Sequence, residues 1–177
     1  MDTRDDPQRP DRDFLDEFGD LDTAIEMVRL LNDEIEEPPS AEEFMRRFQP
    51  ITATDQGVYD IWSGCMTLIY FLFNSMGQLD EPPLDFVPAA VRKVGEVEQV
   101  PADVLPMIAG GLTATFLGQE PREWRERYGV VSRDESLAWI FAAWAVVNFI
   151  DFLNEEKGSA LKNLNELIET ILESESE

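Results

Sequence analysis

From Leu21 onward the apolar positions recur at three- and four-residue steps through Ile25, Val28, Leu31 and Ile35, the spacing of one face of a helix. Asp20 or Asp22 supplies an N-cap and Pro38-Pro39 a stop. A second amphipathic helix opens at Ser40, with Glu43 three residues later in capping-box spacing. Phe44, Met45 and Phe48 form its apolar side, and Pro50 is its expected end.

The run from Val58 to Phe73 has a different character. Tyr59, Ile61, Trp62, Met66, Leu68, Ile69, Tyr70, Phe71, Leu72 and Phe73 leave no continuous polar face, so the helix they predict has to be covered on all sides. Thr54 or Asp55 caps it, Gly77 closes it and Pro82-Pro83 forms the next break. Pro88 then sits in the first turn of a short helix ending at Gly95. Residues 101–118 carry Pro101 and Pro106, which offset or kink the first turn of the helix that continues from Met107-Ile108. Gly110-Gly111 inside it predicts another backbone passing close by, since two glycines in a helix cost about 2 kcal/mol relative to alanine.

A short helix over Arg122–Tyr128 follows, opened by Glu120-Pro121 and closed by Gly129. Ser132 and Glu135 form a capping box ahead of the second all-round apolar helix, Leu137 to Val147, which continues through Phe149, Ile150, Phe152 and Leu153. Gly158 breaks it. A last amphipathic helix over 159–174 places Leu161, Leu164, Ile168 and Ile171 at heptad spacing, widened by Leu167 and Leu172. No segment alternates as a strand does. The pattern therefore predicts an all-α fold: a single-domain bundle of about six to eight helices spanning 20–177, with the two apolar helices at its centre, behind a disordered acidic lead over 1–19.

An apolar fraction of 44%, with four Trp and eleven Phe, is ample for a core in a chain of this length. Charge alters the picture more. The chain carries 37 Asp and Glu against 14 Lys and Arg, a formal net charge of -23, and only Lys93, Lys157 and Lys162 are lysines. Such self-repulsion opposes a compact state unless it is screened or matched. At about 1 M salt the Debye length falls to about 3 Å. Scarce lysine with retained arginine fits a salt-rich cytoplasm; an acidic face for a basic partner, or ordinary solubility, would account for the same excess. The N-terminus lacks the basic flank and apolar stretch of a secretion signal, so a cytoplasmic location is expected.

Neither apolar run reaches about 20 residues without a charge, because Asp60 interrupts the first and Asp151 the second, so membrane insertion is not expected. The same runs suit contact between copies, and a homodimer is one form of protein partner they allow. Two C-terminal heptads are too few to hold a coiled coil alone, so docking of that helix on its own bundle is favoured.

The absence of histidine removes Ser-His-Asp and Cys-His nucleophile systems, the usual zinc sites and Glu-x-x-His di-iron centres. Cys65 lies in an apolar run and reads as a buried, inert thiol. Carboxylates on Mg²⁺ remain. Asn148, Asp151 and Glu155 share one face of the second apolar helix and Asp60 lies on the first, so contact between the two helices would gather them inside the bundle. The plainer alternative places Asp151 and Glu155 where the helix ends and Asp60 in a first turn, where a carboxylate favours the dipole. Arg122, Arg125 and Arg127 interleave with Glu120, Glu123 and Glu126 around Trp124. That pattern reads as local pairing or stacking, and the field of the chain repels nucleic acid.

These features predict a non-catalytic cytoplasmic protein of a salt-adapted cell, without cofactor, acting through a protein partner marked by exposed Trp or Phe. Two alternatives are an acidic inhibitor, such as an immunity protein or nucleic-acid mimic, of a basic partner, and a carboxylate–Mg²⁺ hydrolase.

Overall fold

The computed structural model describes residues 21–33, 41–76 and 85–175. The acidic lead over 1–19, the Pro38-Pro39 stop, the Ser40 cap, Gly77 and Pro82-Pro83 lie outside them. Among the described residues the protein is all-α, with no strand. The helices are α1 (Leu21–Asp33), α2 (Ala41–Ile51), α3 (Asp55–Met76), α4 (Phe86–Gly95), α5 (Leu105–Phe116), α6 (Pro121–Arg125), α7 (Arg133–Leu153) and α8 (Ser159–Glu175). Short 3-10 turns over Ala102–Val104 and Glu126–Tyr128 join the set.

The two apolar helices, α3 and α7, lie side by side at the centre. The Ser136 hydroxyl donates to the Val58 carbonyl at their N-terminal turns (2.8 Å), and Phe73 and Phe149 meet through Phe86 at the other end, so the two run in the same direction. Around them α1, α5, α6 and α8 cover α3, while α1, α4, α5 and α8 cover α7. That packing explains the missing polar faces: Trp62, Met66, Ile69, Trp139, Ile140 and Val146 are fully buried. By length and composition α7 is apolar enough to cross a membrane; here it is the inner helix of the bundle. Cys65 is buried among these side chains, and burial pushes its thiol well above the ordinary range, which leaves it inert. The C-terminal stripe docks on the bundle, with Leu161 and Leu164 buried against α3 and α7.

Several local features depart from the sequence reading. Pro50 does not stop α2. It takes the penultimate position, where only one backbone bond is forfeited before the helix ends at Ile51. Both the amide and the hydroxyl of Thr52 then donate to the Phe48 carbonyl. Pro101 and Pro106, by contrast, offset the first turn from the helix that follows, as the sequence predicts. Ala102–Val104 forms the 3-10 turn, and Pro106 falls in the first turn of α5, where its missing N–H leaves nothing unpaired.

The close approach at Gly110-Gly111 is real, but it is made by indole rings and not by a backbone. A β-carbon on Gly110 would lie 2.7 Å from Trp124, and one on Gly111 would lie 2.6 Å from Trp139 and 3.2 Å from Trp124.

The Ser132–Glu135 pair is only half a capping box. The Ser132 hydroxyl accepts from the Glu135 amide (3.1 Å), but the Glu135 carboxylate turns inward to Arg125. Arg125 donates through Nε and Nη2 to the two carboxylate oxygens, at 2.6 Å each. Its remaining donors reach the Gly129 carbonyl (2.8 Å) and the Val130 carbonyl (3.3 Å), and the Trp139 indole N–H donates to Glu135 Oε1 (3.3 Å). Arg125 therefore pairs across ten residues and not with its neighbouring glutamates, because only Glu135 is buried beside it. The fork closes the 126–132 connection onto the top of α7.

On the surface, Glu43 accepts from Arg46 (2.7 and 3.0 Å), which holds its carboxyl below the usual range, and Arg47 lies within ion-pair reach of Glu43 and Glu26. These contacts leave the negative excess largely unmatched, and repulsion between carboxylates weakens as salt shortens the Debye length. The expected result is a melting temperature, followed by circular dichroism, that climbs steadily from about 0.05 M to about 2 M KCl. A flat profile would show that the acidity does not load the fold.

Candidate functional site

The structure brings three of the four carboxylate-and-amide candidates together and leaves the fourth apart. Asn148, Asp151 and Glu155 line one surface groove of about 510 Å³ at the α7–α8 corner, with Phe152, Leu153, Glu156 and Lys157. Asp60 sits near the other end of the bundle. Because α3 and α7 run in the same direction and Val58 is level with Ser136, Asp60 stands about ten α7 residues short of Asn148, or about 15 Å at about 1.5 Å per residue. Its carboxylate accepts from the Gln56 amide (2.6 Å) near the start of α3. Among the described residues no group of three or more carboxylate, cysteine or histidine side chains is placed to hold a metal ion.

Asp151 has a structural task that its spacing does not disclose. Oδ2 accepts from the Gly158 amide (2.7 Å), and Oδ1 from the Ala160 amide (2.8 Å) and the Ser159 hydroxyl (3.2 Å). A buried carboxylate thus sits on the N-terminal turn of α8, satisfies donors the helix cannot satisfy itself and complements its dipole. The Asn154 side-chain amide donates to the Ser159 hydroxyl (3.0 Å), fixing the same turn. Asn148 donates to the Trp144 carbonyl one turn back (2.9 Å).

The end of α7 is a Schellman motif. The Glu156 amide donates to the Asp151 carbonyl (3.1 Å) and the Glu155 amide to the Phe152 carbonyl (3.2 Å), which forces Glu155 into the left-handed region with φ 54°. Helix α5 ends in the same motif, with Gln119 donating to Ala114 and Gly118 to Thr115, and there glycine takes the left-handed position at φ 79°. At the α7 end a glutamate stands where glycine is unstrained, and it adds negative charge to the negative end of a helix. Replacing Glu155 by glycine is expected to raise the unfolding free energy by about 1 kcal/mol, read by chemical denaturation. A lower stability in the variant would mean the residue makes contacts that outweigh its strain.

Apolar exposure completes the corner. Phe152 is 78% exposed and Leu153 39%, immediately after a stretch of α7 that is buried almost without interruption. Leu117, Tyr128 and Val130 are also exposed, but they flank the turn glycines Gly118 and Gly129, where the chain reverses at the surface. Phe152 and Leu153 instead line a concave groove together with Glu155 and Glu156. Sequence periodicity misses this pair, since it continues the apolar run of α7 and so predicts burial for both.

A second groove, of about 420 Å³, lies across the α7–α8 turn and shares Lys157. Arg29, Lys162, Leu161, Asn165, Glu166 and Glu169 are among its lining residues, so two of the three lysines of the chain meet here. Compared with known protein families, curated proteins and solved structures, the chain has no match.

Proposed function

We propose that this is a non-catalytic interaction protein of a salt-adapted cytoplasm that holds a protein partner at the α7–α8 corner. The observation that carries the reading is the exposure of Phe152 beside Leu153, both lining a groove in which Asp151 is held by hydrogen bonds to the start of α8. Large aromatic side chains that leave water on binding supply most of the affinity in protein interfaces, and a rigid surface loses less entropy when it is covered. Asp151 and Asn154 tie the turn that bears the groove to α8, so the corner is set before a partner arrives. The carboxylates of the groove select the partner, with no bond made or broken at this surface.

The test is recovery of partners by the tagged full chain in about 2 M KCl, comparing wild type with the double variant Phe152→Ser/Leu153→Ser. Both side chains are exposed, so the variant is expected to melt within about 0.5 kcal/mol of wild type and to lose a protein that wild type retains. Identical recoveries from the two chains would remove the reading.

A further inference from the structure

The chemistry of the corner also defines what covers it. We infer that the occupant is a cationic amphipathic segment of another protein, with one or two large apolar side chains flanked by Lys or Arg; this rests on the docking reading above. An apolar anchor is required by Phe152 and Leu153, which present aromatic and branched surface side by side at the end of α7. The flanking cations are required by charge. Glu155 and Glu156 line the groove, the C-terminal end of the 21-residue helix α7 brings its own negative pole to the same point, and the whole chain carries -23.

The cations near the corner are segregated. Lys157 stands at the border, and Arg29 and Lys162 lie beyond it in the neighbouring groove, together with Glu166 and Glu169. A segment resting on Phe152 therefore has Asp151, Glu155 and Glu156 along the groove against one cation, Lys157, at the side shared with the neighbouring groove. A second copy of the chain is a poor occupant, because it would bring a second net charge of -23 to a surface that is already acidic. Charge steers the approach, and apolar burial holds the complex when salt screens the rest.

The experiment titrates a peptide of about 18 residues, with leucines at helical spacing and lysines elsewhere, into the ¹⁵N-labelled full chain at fixed KCl. Two control peptides keep the leucines with glutamate replacing lysine, or keep the lysines with serine replacing leucine. The expected result is a shift of the amides of 148–157 by the leucine–lysine peptide alone. Its affinity falls about tenfold or more in Phe152→Ser/Leu153→Ser and, separately, in Glu155→Gln/Glu156→Gln. Equal binding of the leucine–glutamate peptide at these amides would overturn the cationic occupant and leave the docking corner standing. Shifts outside 148–157 that survive Phe152→Ser/Leu153→Ser would overturn the corner itself. Sedimentation of wild type as a dimer that this double variant abolishes would identify the occupant as a second copy and overturn the inference.

Discussion

Replacing Arg125 by alanine is expected to lower the unfolding free energy by about 3–5 kcal/mol, among the largest effects of any single polar substitution in this chain. The guanidinium is buried and donates to both oxygens of a buried carboxylate, so its removal leaves the Glu135 carboxyl inside the bundle without its counterion and two of its donors. The carbonyls of Gly129 and Val130 lose their donors in the same step, which releases the 126–132 connection. For a chain of this size the loss corresponds to a fall of about 6–20 °C in melting temperature. The double variant Arg125→Met/Glu135→Leu is expected to be more stable than Arg125→Ala, because it removes the buried charge together with its partner. Denaturant melts of both variants in the same KCl provide the check. A loss under about 1 kcal/mol for Arg125→Ala would mean that water reaches Glu135 and that the pair is a surface contact.

The second large effect is at Gly111. A β-carbon there falls 2.6 Å from the Trp139 ring, and that ring has no room to retreat, being fully buried and tied through its N–H to Glu135. Gly111→Val is therefore expected to destabilise by about 3 kcal/mol through overpacking. Gly110→Ala meets Trp124 at 2.7 Å, but Trp124 is only half-buried and packs at a tilt against the exposed Tyr128, so it can shift outward. The gain of about 1 kcal/mol in helix propensity then nearly offsets the crowding. Urea midpoints of the two variants measure the contrast directly. Equal losses at the two positions would show that Trp139 is not the fixed wall described here. Because Trp139 and Arg125 meet at the same carboxylate, Gly111→Val and Arg125→Ala should also fail to add.

Legible and illegible features of the sequence divide along physical lines. Helix periodicity depends on neighbours three and four residues away, so α1, α3, α7 and α8 can be read from it, as can the central place of the two helices without a polar face. The positive-φ turn at Gly129 and the Ser132 cap are legible for the same reason. Glu135 misleads because its spacing from Ser132 satisfies a local motif, while the partner that claims it, Arg125, is brought near only by the fold.

At the corner, the proximity of Asn148 and Asp151 follows from their three-residue step along α7, whereas Glu155 lies past the helix end and reaches the same groove through the turn at positive φ. Grouping Asp60 with them fails, because direct contact between two helices does not set the level at which their residues meet. The capping role of Asp151 depends on the reversal at Gly158, which brings the first turn of α8 back onto α7. The exposure of Phe152 is illegible for a related reason. Burial of an apolar side chain depends on whether a neighbouring helix covers that turn, and nothing in the sequence marks where the cover of α7 ends.

The central claim, that Phe152 stands in a partner's interface, is tested most directly by placing a photo-crosslinking phenylalanine analogue at position 152 in the living cell. The control is the same analogue at Leu117, which is 71% exposed and is not among the residues that line the groove. The account predicts a crosslinked product of defined mass from position 152, identified by mass spectrometry as a protein with a Lys- or Arg-flanked apolar segment, and absent from position 117. The same products from both positions, or none from position 152, would contradict it.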